Sequence, residues 1–105
     1  MAVYVDDMQR PAKVGRFNAV WSHLLADTDD ELHAFAARLG LKRAWHQHPG
    51  TPLSHYDVTE SKRRQAIRLG AVQIGYLSRE SLDLLRRKRA EHRVGAAVQN
   101  GGADD

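Results

Sequence analysis

Thr28-Asp29-Asp30-Glu31-Leu32-His33-Ala34-Phe35-Ala36-Ala37-Arg38-Leu39-Gly40 is the stretch whose reading decides the fold. Thr28 and Glu31 stand in the Thr-x-x-Glu order of a capping box, in which the hydroxyl accepts the amide three residues on and the carboxylate reaches back. Leu32, Phe35, Ala36 and Leu39 recur at helical spacing, and Gly40 supplies the left-handed residue on which helices commonly stop. By periodicity alone the preceding run, Val20-Trp21-Ser22-His23-Leu24-Leu25, suits a buried strand or a turn of helix equally well. The cap that follows it favours the strand.

On the N-terminal side, Val3-Tyr4-Val5 is β-branched and aromatic and reads as a first strand ending in Asp6-Asp7. That carboxyl end is where open α/β sheets usually bind ligands. Residues 8–18 hold Pro11 and Gly15 among the basic Arg10, Lys13 and Arg16, and are expected to form a loop that acts as a mobile cover. On the C-terminal side, Arg43-Ala44-Trp45-His46-Gln47 is expected to be a strand stopped by Pro49-Gly50 and Pro52. Thr59 or Asp57 caps a second helix with Ala66 and Ile67 facing the core and Gly70 at its end. Ala71-Val72-Gln73-Ile74-Gly75-Tyr76 reads as a last strand, and Ser78 caps a third helix carrying Leu82, Leu84 and Leu85. The order strand, strand, helix, strand, helix, strand, helix predicts an α/β fold: a mixed or mostly parallel sheet of about four strands flanked by about three helices. One domain over residues 1–93 is expected, with a basic helix at 78–93 and a flexible tail at 94–105.

Length and composition narrow the function classes. A chain of 105 residues without cysteine fits one core, and it excludes disulfide frameworks, thiolate zinc sites and thiol catalysis. No run of about 18 apolar residues is present to span a bilayer and the N-terminus lacks the pattern of a signal peptide, so no membrane association is expected and the cytoplasm is the default compartment. The net charge of +3 permits an anionic partner. Its distribution is uneven: Arg86-Arg87-Lys88-Arg89 and Arg93 are basic, while Asp27, Asp29, Asp30 and Glu31 form an acidic patch. No Gly-x-Gly-x-x-Gly, phosphate loop or Gly-x-Ser-x-Gly elbow occurs.

The combination of Val3-Tyr4-Val5-Asp6-Asp7, Ser22-His23-Leu24-Leu25-Ala26-Asp27-Thr28, Glu31-Leu32-His33, Trp45 with Gln47, and His55-Tyr56-Asp57 resembles a short bacterial and phage family catalogued as domain of unknown function 4031. The resemblance spans roughly residues 3–75 and implies that these positions belong to one domain type. It lends no activity.

The chemistry-bearing residues centre on His55-Tyr56-Asp57, read as the mouth of the second helix. His55 is a candidate general base or metal ligand, and Asp57 either orients it or caps the helix. Asp6 and Asp7 are candidate ligands for Mg²⁺ or Mn²⁺, although alternation along a strand admits only one of them to a given site. His23 shares a face with Trp21 and Leu25 and is either a hydrogen-bonded core residue or a site member, joined by His46 from the neighbouring strand. Lys62, Arg63 and Arg64 lie in the first turns of the second helix, where a phosphate is held by amides and guanidinium together, or else form a solvated face. Arg86, Arg87 and Arg89 are candidates for nucleic-acid phosphates.

Two functions are compatible with this cast. One is a metal-assisted hydrolase of a phosphate ester, a nucleotide or a nucleic acid, with His55, Asp57, His23 and Arg63 in catalytic roles and Asp6, Asp7 and His46 on the metal. The other is a non-catalytic module that binds a nucleotide, a nucleic acid or a protein. A homodimer is one way to cover the edges of so small a sheet.

Overall fold

The computed structural model describes residues 2–92, apart from the side chains of Val14 and Phe17, and assigns the last helix as far as Asp104. The expected flexible tail at 94–105 lies outside the described residues. The elements are β1 (Val3–Val5), β2 (Arg10–Val14), β3 (Phe17–Ala26), α1 (Asp29–Arg38), a 3₁₀ turn (Arg43–Trp45), β4 (Tyr56–Thr59), α2 (Glu60–Arg68), β5 (Val72–Gln73) and α3 (Arg79–Asp104). The result is a mixed five-stranded sheet with three α-helices.

β3 organises the sheet. β1 and β2 both lie antiparallel along one of its edges and β4 lies antiparallel along the other, because Leu24 pairs with both Val5 and Tyr56, and Trp21 with both Arg10 and Thr59. β5 joins β1 in the one parallel pairing among the described residues, so the mostly parallel alternative gives way to a mixed sheet. β1 and β2 are two parts of one extended run with a wide bulge between them, since the four residues 6–9 face only Ser22 and His23 on β3.

The expected helices form where their caps place them. Thr28 Oγ1 accepts the Glu31 amide and donates to its carboxylate, which closes the capping box, and Gly40 takes φ +76° just past the end of α1. Thr59, and not Asp57, caps α2 by accepting the Lys62 amide. Ser78 accepts the Ser81 amide at the start of α3. Residues 20–25 are strand, inside the longer β3.

Three expectations are corrected. Residues 8–18 hold β2 and the tight turn into β3, not a loop: Gly15, at φ +59°, opens a two-residue hairpin turn with Arg16. Pro11 is tolerated because β2 pairs only with β3 among the described residues, so its missing N–H falls on an edge strand. Residues 43–47 are not a strand. Arg43-Ala44-Trp45 has no β-branched residue and closes a 3₁₀ turn, after which Gln47 makes a single bridge to His55. The strand at 71–76 shrinks to Val72–Gln73, extended by one bond from the Ile74 amide to the Val5 carbonyl, before the chain turns at Gly75.

Alternation along the strands separates two faces. Val5, Leu24, Ala26, Tyr56 and Val58 are buried together with Leu32, Phe35, Ala36 and Leu39 of α1 and Ala66 of α2. Trp21, His23 and Leu25 of β3 therefore turn to the opposite face, as do Asp57 and Thr59 of β4 and His55 just before it. On that side His23, Leu25 and His55 border a cleft closed by Leu84, Leu85 and Lys88 of α3.

Candidate functional site: a two-histidine, one-carboxylate cluster

The site lies along a line across the sheet. His23 and Asp57 are direct cross-strand partners on β3 and β4. On the other side of His23, Asp6 continues the β1 register, its amide donating to the His23 carbonyl at 3.0 Å. The reciprocal backbone bond is replaced. The His23 amide donates to Asp6 Oδ1 at 2.8 Å, while the Asp6 carbonyl turns away and accepts Arg63 Nε at 2.8 Å. Asp6 Oδ1 also accepts the Met8 amide at 3.2 Å, and Oδ2 meets His23 Nδ1 at 2.6 Å. Asp6 is only 3% exposed, so this carboxylate is satisfied wholly by protein donors. An ionised carboxylate only accepts, so a neutral His23 beside it carries its proton on Nδ1 and its lone pair on Nε2.

His55 repeats the arrangement. Its Nδ1 donates to the Leu53 carbonyl at 2.7 Å, and its Nε2 lies 3.4 Å from Asp57 Oδ1. Gln47 Nε2 donates to Asp57 Oδ2. One potential ligand atom from each of His23, His55 and Asp57 falls within 4.8 Å of the others. The two imidazoles meet edge to face at 4.9 Å between centroids, and Tyr76 stacks on His23 at 5.7 Å. Burial alone pulls the His55 pKa down, but the hydrogen bonds to Asp57 and the Leu53 carbonyl, with the charges of Asp57 and Asp6, outweigh it and the pKa is raised. Asp57 moves the other way: the His55 hydrogen bond overcomes burial and, with the His55 charge and Gln47, holds its carboxyl below the usual range.

The adjoining cleft has a volume of about 230 Å³ and is bordered by His23, His48, His55, Tyr76 and Lys88. Lys88 is 4% exposed, and its hydrogen bond to the Ser54 carbonyl is long at 3.4 Å. Burial lowers its pKa, which Asp29, Asp27 and Glu91 only partly restore.

A second trio, Asp29, His33 and His46, also brings three ligand atoms within 4.8 Å. It belongs to the other face of β4, where His33 Nδ1 meets the Tyr56 hydroxyl at 2.9 Å and His46 Nε2 meets Ser54 Oγ at 2.6 Å. Asp29 accepts the Gly50 amide at 3.2 Å and interacts with Ser54, His46 and Lys88, which together outweigh burial and keep its pKa low. For His46, burial and the neighbouring His33 lower the pKa. This network ties α1 to the segment leading into β4.

The residues expected from sequence are distributed as follows. His23, His55 and Asp57 converge, on adjacent strands and not at a helix mouth. Asp6 stands behind His23, while Asp7 Oδ1 accepts the Tyr76 amide at 2.6 Å, so strand alternation does divide the pair. His46 joins the second trio. Lys62 Nζ is bonded to the Leu39 carbonyl at 2.5 Å, at the end of α1. Arg63 holds the Asp6 carbonyl and pairs with Glu60 at 3.6 Å, and the exposed Arg64 pairs with the same glutamate at 3.5 Å. Arg86, Arg87 and Arg89 are all exposed; Arg86 pairs with Asp83 at 3.8 Å, and Arg87 reaches Asp27 at 3.8 Å and the Tyr4 hydroxyl at 3.4 Å. Asp29, Tyr76 and Lys88 were not anticipated as site residues. The signal for Asp29 was its i, i+4 spacing to His33, which puts both on one helical face.

The fold and the cluster together define the class: a small mixed α/β domain with a two-histidine, one-carboxylate group on the sheet face turned from α1 and α2. The chain belongs to the family described as protein of unknown function (DUF4031), whose profile matches residues 3–88. The match runs past residue 75 and takes in the beginning of α3. No curated protein and no solved structure matches the chain.

Proposed function

We propose that His23, His55 and Asp57 bind one divalent metal ion, and that the centre serves metal-assisted hydrolysis of a phosphate ester, a nucleotide or nucleic acid. The observation that carries this reading is that each histidine has Nδ1 committed to an acceptor, Asp6 Oδ2 or the Leu53 carbonyl, which leaves Nε2 for a shared ligand near Asp57. Metal-ligating histidines almost always donate their second nitrogen in this way, because the bond fixes the tautomer and raises ligand basicity. Two imidazoles and a carboxylate favour Zn²⁺ or Mn²⁺ over Mg²⁺, which prefers oxygen donors. Two protein nitrogens and one oxygen also leave coordination positions open.

A divalent ion held there supplies Lewis acidity toward a phosphoryl oxygen and acidifies water. Hydrolysis then adds water oxygen to phosphorus, breaks the P–O ester bond and delivers a proton to the departing oxygen. Lys88 supports the anionic substrate: it is a buried amine on the cleft wall whose one hydrogen bond among the described residues is a long one to the Ser54 carbonyl, so N–H donors remain for a phosphoryl oxygen. His48, whose ring lies 5.7 Å from that of His55, is the imidazole on that wall outside the proposed ligand set and is suited to carry the proton.

The test is thermal unfolding of metal-free protein titrated with Zn²⁺ and Mn²⁺, beside His55→Ala and Asp57→Asn. Free ion at a hundred times Kd stabilises the native state by about 2.7 kcal/mol. The wild type is expected to show that shift and the two variants to lose most of it. An equal response in all three proteins, or none in the wild type, overturns the metal reading. Turnover of a chromogenic phosphodiester by the loaded wild type, absent in the variants, tests the hydrolytic half.

A further inference from the structure

Beside the metal-ligand cluster, a groove of about 730 Å³ is walled by Trp21 and Trp45, with Leu41, Ala44, Gln47 and Asp57 completing much of its lining. Its volume is within the range of small-molecule sites, roughly 300–1,000 Å³. We propose that this groove seats a nucleobase, which makes the substrate of the adjoining centre a nucleotide. The substrate half of that statement rests on the metal-centre reading; the base seat does not.

Five observations support the occupant. Trp45 is 51% exposed on its 3₁₀ turn, so a broad aromatic face is left in reach of a ligand. Trp21 is fixed by a bond from its indole Nε1 to the Ala12 carbonyl at 3.1 Å, so its ring forms a preset wall that need not be ordered on binding. Flat bases gain by stacking on such rings whatever their identity. Gln47 gives Nε2 to Asp57, and its Oε1, which has no donor among the described residues, can accept an N–H from the edge of a base. Asp57 lines the groove and is also one of the three clustered ligand residues, so a base in the groove delivers its phosphate toward His23 and His55. Lys42, whose Nζ lies 5.5 Å from the Trp45 ring centroid, adds positive charge beside an anionic ligand.

A lipid tail or an aromatic peptide side chain would use the same indoles, but neither calls for the Gln47 acceptor or the route to Asp57. Both remain as outcomes of the test.

The experiment uses the full chain, metal-free, with adenosine as probe and ribose 5-phosphate as the control without a base. The chain has two tryptophans and both line the groove, so tryptophan fluorescence reports occupancy directly. Adenosine is expected to quench it saturably and ribose 5-phosphate to leave it unchanged. Equilibrium dialysis then compares variants without relying on fluorescence. Trp45→Leu keeps apolar bulk without a flat face and is expected to weaken adenosine about tenfold, while Trp45→Phe stays within about threefold. Circular dichroism checks that both are folded. No saturable adenosine binding, equal affinity in wild type and Trp45→Leu, or preference for indole or an alkyl chain over adenosine overturns the proposal. Zn²⁺ stabilisation without adenosine binding rejects the base seat alone, and adenosine binding without any metal response rejects the metal centre alone.

Discussion

Asp6→Asn isolates the role of the carboxylate behind His23. The native carboxylate accepts the His23 amide at 2.8 Å and the Met8 amide at 3.2 Å on one oxygen, and His23 Nδ1 at 2.6 Å on the other. In the variant, Oδ1 of the amide can keep both backbone bonds, but its NH₂ then faces Nδ1, donor against donor. Relief requires the imidazole proton to move to Nε2, the lone pair the proposed metal site needs. The inverted amide is worse, because it sets NH₂ against two backbone N–H groups. A hydrogen bond to a charged group contributes about 1.5–3 kcal/mol, which bounds the fold's loss. Metal affinity is expected to fall about 10- to 100-fold, the usual cost of removing such a supporting group. Zn²⁺ affinity is measured by competition with a chromogenic chelator, in wild type, Asp6→Asn, His23→Ala and the double variant. The double variant is expected to match His23→Ala, since the two residues act as one unit. Unchanged affinity in Asp6→Asn, or an equal further loss on the His23→Ala background, refutes the reasoning.

Three further outcomes are expected. In metal-free protein the raised pKa of His55 contributes stability that is complete below its unfolded value of 6.5 and disappears as pH rises through the raised one. The lowered pKa of Asp57 contributes stability present above 3.8 and lost as pH falls through the lowered one. Urea unfolding of wild type against Asp57→Asn is therefore expected to differ most between those limits, whereas Zn²⁺ affinity rises with pH as His55 sheds its proton; a difference that stays flat across the range rules out the pair. Lys88→Met replaces a buried amine, whose charged form burial disfavours, with apolar volume, and is expected to match or exceed wild-type stability by about 1 kcal/mol. It is also expected to weaken inhibition by inorganic phosphate about tenfold, and unchanged inhibition excludes Lys88 from anion binding. Replacing the exposed Arg86 and Arg89 with Gln is expected to flatten the salt dependence of duplex DNA binding by about two in the log–log slope. Binding that ignores salt ends the nucleic-acid role for α3.

How much of this was legible in the sequence depended on how local each signal was. Caps are local, so Thr28-x-x-Glu31, Thr59 and Ser78 marked their helices correctly. His23, His55 and Asp57 were also singled out by residue type as candidates. Their grouping was not legible, because the cross-strand pairing of His23 with Asp57 joins residues far apart in sequence, and β4 is short, polar at Asp57 and fused directly to α2. Pro11 and Gly15 read as loop formers because a single sequence does not reveal that one sits on an edge strand and the other in a hairpin turn. That Arg63 donates to the Asp6 carbonyl was not legible, because residue type does not tell a backbone carbonyl from an anion as its partner. Asp29 was hidden because the acidic first turn of a helix already has an explanation in the helix dipole.

The bulge at residues 6–9 explains why the site could form on β3 at all. A flush antiparallel pairing would have matched the Asp6 carbonyl to the His23 amide and left the carboxylate without a fixed position. Because four residues face two, the carbonyl is free to turn to Arg63 on α2, and the side chain takes its place in the ladder. The insertion is even in number, so the inward and outward sets of β2 keep their parity beyond it. A one-residue bulge would have reversed every side chain of β2 relative to β1. Gln9, at φ +47°, absorbs the departure from strand geometry, and its amide is satisfied by the buried Ser22 hydroxyl at 3.1 Å. In the proposed centre Arg63 is thus a positioning residue. It fixes the backbone that aims Asp6, Asp6 fixes the His23 tautomer, and the tautomer decides whether Nε2 can bind an ion between His55 and Asp57.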